Sequence, residues 1–139
     1  MSGIIDVPGV SGSNSGVISS GYEVGEWTPA TSTSAYAISS SGGKYTKIGK
    51  QVFIQGHLTL SGVDSSSNST FVITGLPFTA HADFAGIGGV RSATSGAFYL
   101  LHVGEGSTVL RFGSMDGMAH GSNVAIATHK YFFTTNYLI

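Results

Sequence analysis

Cysteine is missing altogether, and proline occurs only 3 times in 139 residues. The first absence excludes a disulfide framework and thiolate metal centres. The second leaves the chain to be divided into short pieces by its 21 glycines. Charge is scarce too: Asp, Glu, Lys and Arg make up 9% of the chain, against roughly 25% in ordinary soluble domains. Solubility must then come from Ser, Thr, Asn and exposed backbone, and so low a charge leans toward a chain that lives in an assembly, because interface cores are depleted in charge. With 6 Lys+Arg and a net charge of −1, nucleic acid is not an expected partner, since phosphate contacts need clustered cations. Lys44, Lys47 and Lys50 come nearest to a cluster, but on an extended strand Lys47 faces away from the other two.

Long hydrophobic runs are also missing. Nothing is long enough to span a bilayer, and "MSGIIDVPGV" has neither the basic region nor the apolar stretch of a secretory signal. The expectation is a chain made in a cytoplasm, with no membrane insertion.

What is present fits one domain with a core. Hydrophobic residues reach 41% and the mean hydropathy is +0.23. Residues 1–20 are Gly/Ser-rich with aliphatic islands at Ile4, Ile5, Val7, Val10, Val17 and Ile18. Such a segment buries too little to order itself, yet a plain linker has no use for the islands, so it reads as an extended anchoring arm. Residues 21–139 read as the folded domain. Turn residues recur at short intervals there and no helical period is sustained. Strands are expected at 26–31, 43–48, 51–61, 70–74, 84–90, 97–103, 108–112, 124–127 and 130–137. Eight or nine short strands predict an all-β fold, an antiparallel β-sandwich or jelly roll.

In "QVFIQGHLTL" the apolar positions Val52, Ile54, Leu58 and Leu60 alternate with Phe53 and His57 on a mainly polar face. In "AFYLLHV" both faces are apolar, which predicts that Phe98 and Leu100 meet a neighbouring subunit or sheet while Leu101 and Val103 meet the core. "KYFFTTNYLI" repeats that pattern and ends in Leu138 and Ile139, which an isolated chain has little reason to expose. Phe53, His57, Phe98, Leu100, Leu138 and Ile139 are therefore the expected subunit-interface residues.

Chemistry is harder to find. His57, His81, His102, His120 and His129 show no i, i+2 or i, i+4 spacing for a metal. No Ser lies in a nucleophile elbow, and the 7 acids are scattered. "GIGG" at 86–89 lacks the spacing of a dinucleotide loop and reads as close backbone packing. The expectation is a chain with no catalytic residues, no metal and no cofactor.

Four stretches, "YEVGEWTPATS", "GKYTKIGKQVFIQGHLTLSG", "FVITGLPFTA" and "THKYFFTTNYLI", resemble in order a module of tailed-phage virion surface and fibre proteins. Its pattern is a "GTWTP" strand, a "GxYxKIGxxVxVxGxIxL" hairpin, an "ITGLPF" strand and turn, and a closing aromatic strand. The likeness covers residues 22–139, and Trp27, Tyr45, Ile48, Gly49, Gly75, Leu76, Pro77 and Phe78 occupy pattern positions. The opening "MSGI" with the later "SNSGVI" is similar to small structural proteins of aquatic-bacterium phages. The resemblance implies an all-β, trimeric, non-enzymatic virion protein, assembled in the host cytoplasm. Its partners would be itself as a homotrimer, a capsid or tail protein gripped by the arm, and a host surface glycan or protein met by the outer loops. Many members of the family sit at the end of a long fibre shaft, whereas here a short arm precedes the module. A capsid decoration protein that stabilises the head is therefore the alternative to a fibre or appendage.

Overall fold

A computed structural model describes residues 21–64, 71–83, 86–113 and 127–139. The anchoring-arm residues Ile4, Ile5, Val7, Val10, Val17 and Ile18, the strand expected at 124–127 apart from Ala127, and most of the loops around 61–70 and 113–123 lie outside the described residues. Nine strands are present among the described residues: β1 Tyr22–Trp27, β2 Ala30–Thr31, β3 Tyr36–Ile48, β4 Gln51–Val63, β5 Val72–Thr74, β6 Ile87–Ser92, β7 Phe98–Val103, β8 Val109–Gly113 and β9 Lys130–Leu138. They form one sheet in the order β1-β3-β4-β9-β6-β7-β8-β5-β2, and every pairing is antiparallel.

The sheet's two outermost strands, β1 and β2, are consecutive in sequence and joined only by Thr28 and Pro29. Two linking residues reach only about 10 Å from Trp27 to Ala30. The sheet must therefore curl until its ends nearly meet, and this all-β curled sheet wraps around its own core. Thr31 Oγ1 donates to the Tyr36 carbonyl at 2.9 Å and so ties β2 to the start of β3. The "ITGLPF" segment secures the same corner: Gly75 has φ +88°, and a Cβ there would lie 2.9 Å from the Thr28 carbonyl oxygen. Leu76 enters the core, and the Phe78 ring meets Tyr45 edge-on at 5.3 Å. The Phe78 carbonyl accepts a hydrogen bond from Tyr137 Oη at 3.1 Å.

Alternation sets the inner face. In β4, Val52, Ile54, Leu58 and Leu60 are buried, and in β9, Tyr131, Phe133, Thr135 and Tyr137 are. Phe71 lies at the centre of an aromatic cluster, 4.9 Å from Tyr36, 4.7 Å from Phe112 and 6.1 Å from Tyr131 between ring centroids.

The boundaries depart most from the sequence pattern at two strands. The composition of "YAISSSG" hides the first half of β3, which starts at Tyr36 rather than Gly43; the register with β4 shifts around Ile38, so a bulge breaks the alternation there. The strand expected at 26–31 starts at Tyr22 and is interrupted at Pro29, which has no N–H for a ladder.

Candidate functional site

Because paired residues share a face, the cross-strand registers define the outer surface row by row. One row runs Gly42, His57, Phe132, Arg91 and Phe98 across β3, β4, β9, β6 and β7. The next begins on β1 and runs Glu26, Lys44, Gln55, Thr134, Gly89 and Leu100. A third starts Val24, Thr46, Phe53 and Asn136, with Ile87 facing His102 further along. The last holds Tyr22, Ile48, Gln51 and Leu138.

The large exposed apolar side chains among the described residues are Tyr22, Val24, Ile48, Phe53, Ile87, Phe98, Leu100 and Phe132. All eight lie on these outer rows and none on the inner ones. Phe98 is 74% exposed and Ile87 72%.

A shallow groove of about 890 Å³ crosses the first two rows. Gly42, Gly43, Gly56 and Gly89 line it without side chains, while Glu26, Lys44, His57, Arg91, Phe98 and Phe132 contribute theirs. The glycines exist for packing as well as for space: a Cβ at Gly56 would strike the Phe133 ring, and one at Gly43 the Trp27 indole. Phe132 is flanked by His57, 6.4 Å between ring centroids, and by Lys130 Nζ, 4.9 Å from the ring centre, a cation–π distance. Among the described residues Lys44, Arg91 and Glu26 form no ion pair within 4.0 Å; the pairs there are Lys47 with Glu23 at 3.7 Å and His81 with Asp83 at 3.9 Å. Trp27 Nε1 is buried beside the groove with no hydrogen-bond partner among the described residues.

Five of the expected interface residues, Phe53, His57, Phe98, Leu100 and Leu138, lie on these outer rows. Leu138 and Ile139 are half-buried and held by their own chain. The Leu138 carbonyl accepts from the His81 N–H at 2.8 Å, and the Ile139 N–H donates to the Lys50 carbonyl at 3.0 Å. Sequence reasoning missed Tyr22, Val24, Ile48, Ile87 and Phe132. The alternation in "KYFF", where Tyr131 and Phe133 face inward, held the signal for Phe132.

The titratable groups among the described residues are dispersed over the sheet. Among the described residues no three His, Cys, Asp or Glu side chains converge, and Glu26 is the one carboxylate of these on the groove. Ser92 Oγ lies 3.2 Å from His129 Nδ1, the separation of a nucleophile and its base. Yet Ser92 has no exposed surface, and its oxygen accepts the Ser95 N–H at 3.2 Å, so the pair shapes the β6–β7 turn. On the outer rows, burial and the nearby Arg111 guanidinium lower the His102 pKa, with Glu105 opposing them. At the opposite side of the sheet, burial lifts the Tyr137 phenol to about 12.

No family model, no curated protein and no solved structure matches the chain.

Proposed function

We propose that the chain is a non-enzymatic structural protein of a phage virion, a fibre or appendage module. In this reading it assembles as a homotrimer, and the residue 1–20 arm grips a capsid or tail protein by adding strand-like contacts. One observation carries the reading: every large exposed apolar side chain among the described residues lies on the outer face of the sheet. A lone soluble domain loses solubility by such a face, whereas a subunit of an assembly uses it. The sequence resemblance to phage surface modules points the same way, and so does a charged fraction of 9%.

The two halves of the curled sheet act as the two layers of the β-sandwich expected from the strand pattern. Loops at its ends meet the host surface, and threefold repetition multiplies weak contacts there.

Imaging of intact particles made with and without the chain tests the proposal. Loss of density at the tail alone supports an appendage, and loss over the whole head makes the chain a decoration protein instead. Particles unchanged in both places overturn the virion reading.

A further inference from the structure

In the cross-strand registers of β9, β6 and β7, Arg91 stands between Phe132 on one side and Phe98 on the other. All three are exposed. Neighbouring strands lie about 4.8 Å apart, so the two rings rise from strands about 10 Å apart with one guanidinium between them. Glycines keep the space beside this trio open. Gly89 lies two residues before Arg91 on the same face of β6, and a Cβ there would meet nothing within 4 Å. Gly42 closes the row on β3 beyond His57, where a Cβ would come 3.2 Å from His57 Cε1. The groove therefore has room for a ring to lie against the sheet where side chains would otherwise stand.

Polar groups border that room. Among the described residues the side chains of Glu26, Lys44, Gln55, His57 and Arg91 make no hydrogen bond or ion pair with the rest of the chain, so their donors and acceptors are open to a ligand. Glu26 and Lys44 stand opposite each other in the β1–β3 register, and their charges offset. Arg91 has no such neighbour, because its cross-strand partners are the two phenylalanines. Lys130 Nζ, 4.9 Å from the Phe132 ring centre, adds a second cation beside the same trio. The β9/β6/β7 end of the groove is thus cationic, in a chain whose net charge is −1.

These groups fit a ligand with a flat apolar face for each ring, hydroxyls for the Gln55 amide and the His57 imidazole, and a carboxylate for Arg91. A sugar ring has C–H groups on its face and hydroxyls at its edge, and a uronic acid adds the carboxylate. Arginine grips a carboxylate through two parallel N–H donors, and an exposed aromatic face gives the C–H groups an apolar surface to cover. A shallow, open groove suits a chain molecule that passes through it, since a small ligand needs a concave site that covers most of its surface. Single-stranded nucleic acid also stacks on aromatic rings, but its charge at every nucleotide calls for cations along the whole groove. Here they stand at one end.

We infer that this groove binds a uronic-acid-bearing polysaccharide, with sugar rings on Phe132 and Phe98 and a carboxylate on Arg91. The inference rests on the host-contact part of the proposed function and moves that contact from the end loops to the sheet. Tyr22, Val24, Ile48 and Phe53 lie outside the groove and remain for contacts between subunits.

Calorimetric titration of the full chain tests this, with hexamers of galacturonic and mannuronic acid as acidic probes, cellohexaose as the neutral one and a six-nucleotide oligothymidylate as the nucleic acid. Thermal unfolding confirms that each variant folds. At least one acidic hexamer should bind at least tenfold more tightly than cellohexaose. Arg91→Gln should remove that preference by weakening the acidic hexamer at least tenfold, and Phe132→Ala should weaken both sugars. Gly89→Leu, which fills the open space without meeting the core, should abolish binding. No binding of either acidic hexamer at millimolar concentration overturns the inference. Equal affinity for acidic and neutral sugars, binding that survives Gly89→Leu, or tighter binding of the oligothymidylate does so as well. None of these results alters the virion reading, which particle imaging decides separately.

Discussion

Neighbouring glycines at the centre of β6 should answer alanine in opposite ways. A methyl at Gly88 would fall on the Thr134 carbonyl oxygen and within 2.8 Å of the Thr135 Cα, whereas at Gly89 nothing lies within 4 Å. The atoms opposing Gly88 are backbone and Cβ atoms of β9, which no rotamer change moves aside. Ordinary contact starts at 3.4 Å, so clearing the Thr135 Cα alone requires β6 and β9 to part by about 0.6 Å. A ladder hydrogen bond of about 2.9 Å then stretches past the roughly 3.2 Å limit of good geometry. Each such bond contributes about 0.5–1.5 kcal/mol net, and a buried partner left unpaired costs about 1–3 kcal/mol. Losing one or two places Gly88→Ala at about 2–4 kcal/mol, a large share of the 5–15 kcal/mol that holds a typical domain together. Gly89→Ala, by contrast, removes unfolded-chain entropy without a clash and should lie within about 1 kcal/mol of wild type, on the stabilising side. Urea unfolding followed by the emission of the single Trp27 measures both midpoints. Equal effects from the two substitutions, or a Gly88→Ala midpoint at the wild-type position, would refute the β6–β9 approach described here.

Phe71→Ala should cost about 3–5 kcal/mol, because the ring is fully buried among Tyr36, Phe112 and Tyr131; a loss under 1 kcal/mol in the same urea assay argues against that cluster. Tyr137, at about 12 when folded against an ordinary 10.0, favours the neutral phenol in the folded state. Its contribution is complete below pH 10 and is lost as pH rises from 10 towards 12, so Tyr137→Phe should flatten the alkaline fall in stability; an unchanged slope counts against it. His102 is shifted the other way, so its contribution is present above pH 6.5 and fades as pH drops below it. His102→Gln should reduce the loss of thermal stability between pH 7 and pH 5. Phe53→Asp should loosen the oligomer while leaving the melting of the monomer within a few degrees of wild type, and unchanged mass on native mass spectrometry refutes that.

The fold was legible where burial alternates without interruption. In β9, and in β4 as far as Leu60, the period of two runs unbroken, so core and surface residues follow from counting. It failed at "YAISSSG", where small polar residues have little preference for a pleat and a bulge shifts the register, and at 26–31, where Pro29 separates two strands that lie at opposite ends of the sheet order. The outer face was legible at Phe53, His57, Phe98 and Leu100, because each alternates with residues that must go inward. Tyr22, Val24 and Ile48 were not. Tyr22 and Val24 share the outer face with Ile48 and Thr46 through the β1–β3 register, a fact of pairing that no local pattern contains. Ile87 was hidden by its glycine neighbours, and Gly86 and Gly88 are fixed by β9 backbone from the far end of the chain. At the end of the sequence the Leu138 and Ile139 backbone groups bond to His81 and Lys50, long-range pairings that no local pattern shows.

The central claim is that apolar side chains of the outer face hold copies of the chain together. Sedimentation velocity of the wild-type chain across a wide concentration range tests it most directly. A single species at three times the 14.3 kDa chain mass, falling to one chain in Val24→Asp, is the predicted result. A wild-type species of one chain mass at every concentration contradicts it.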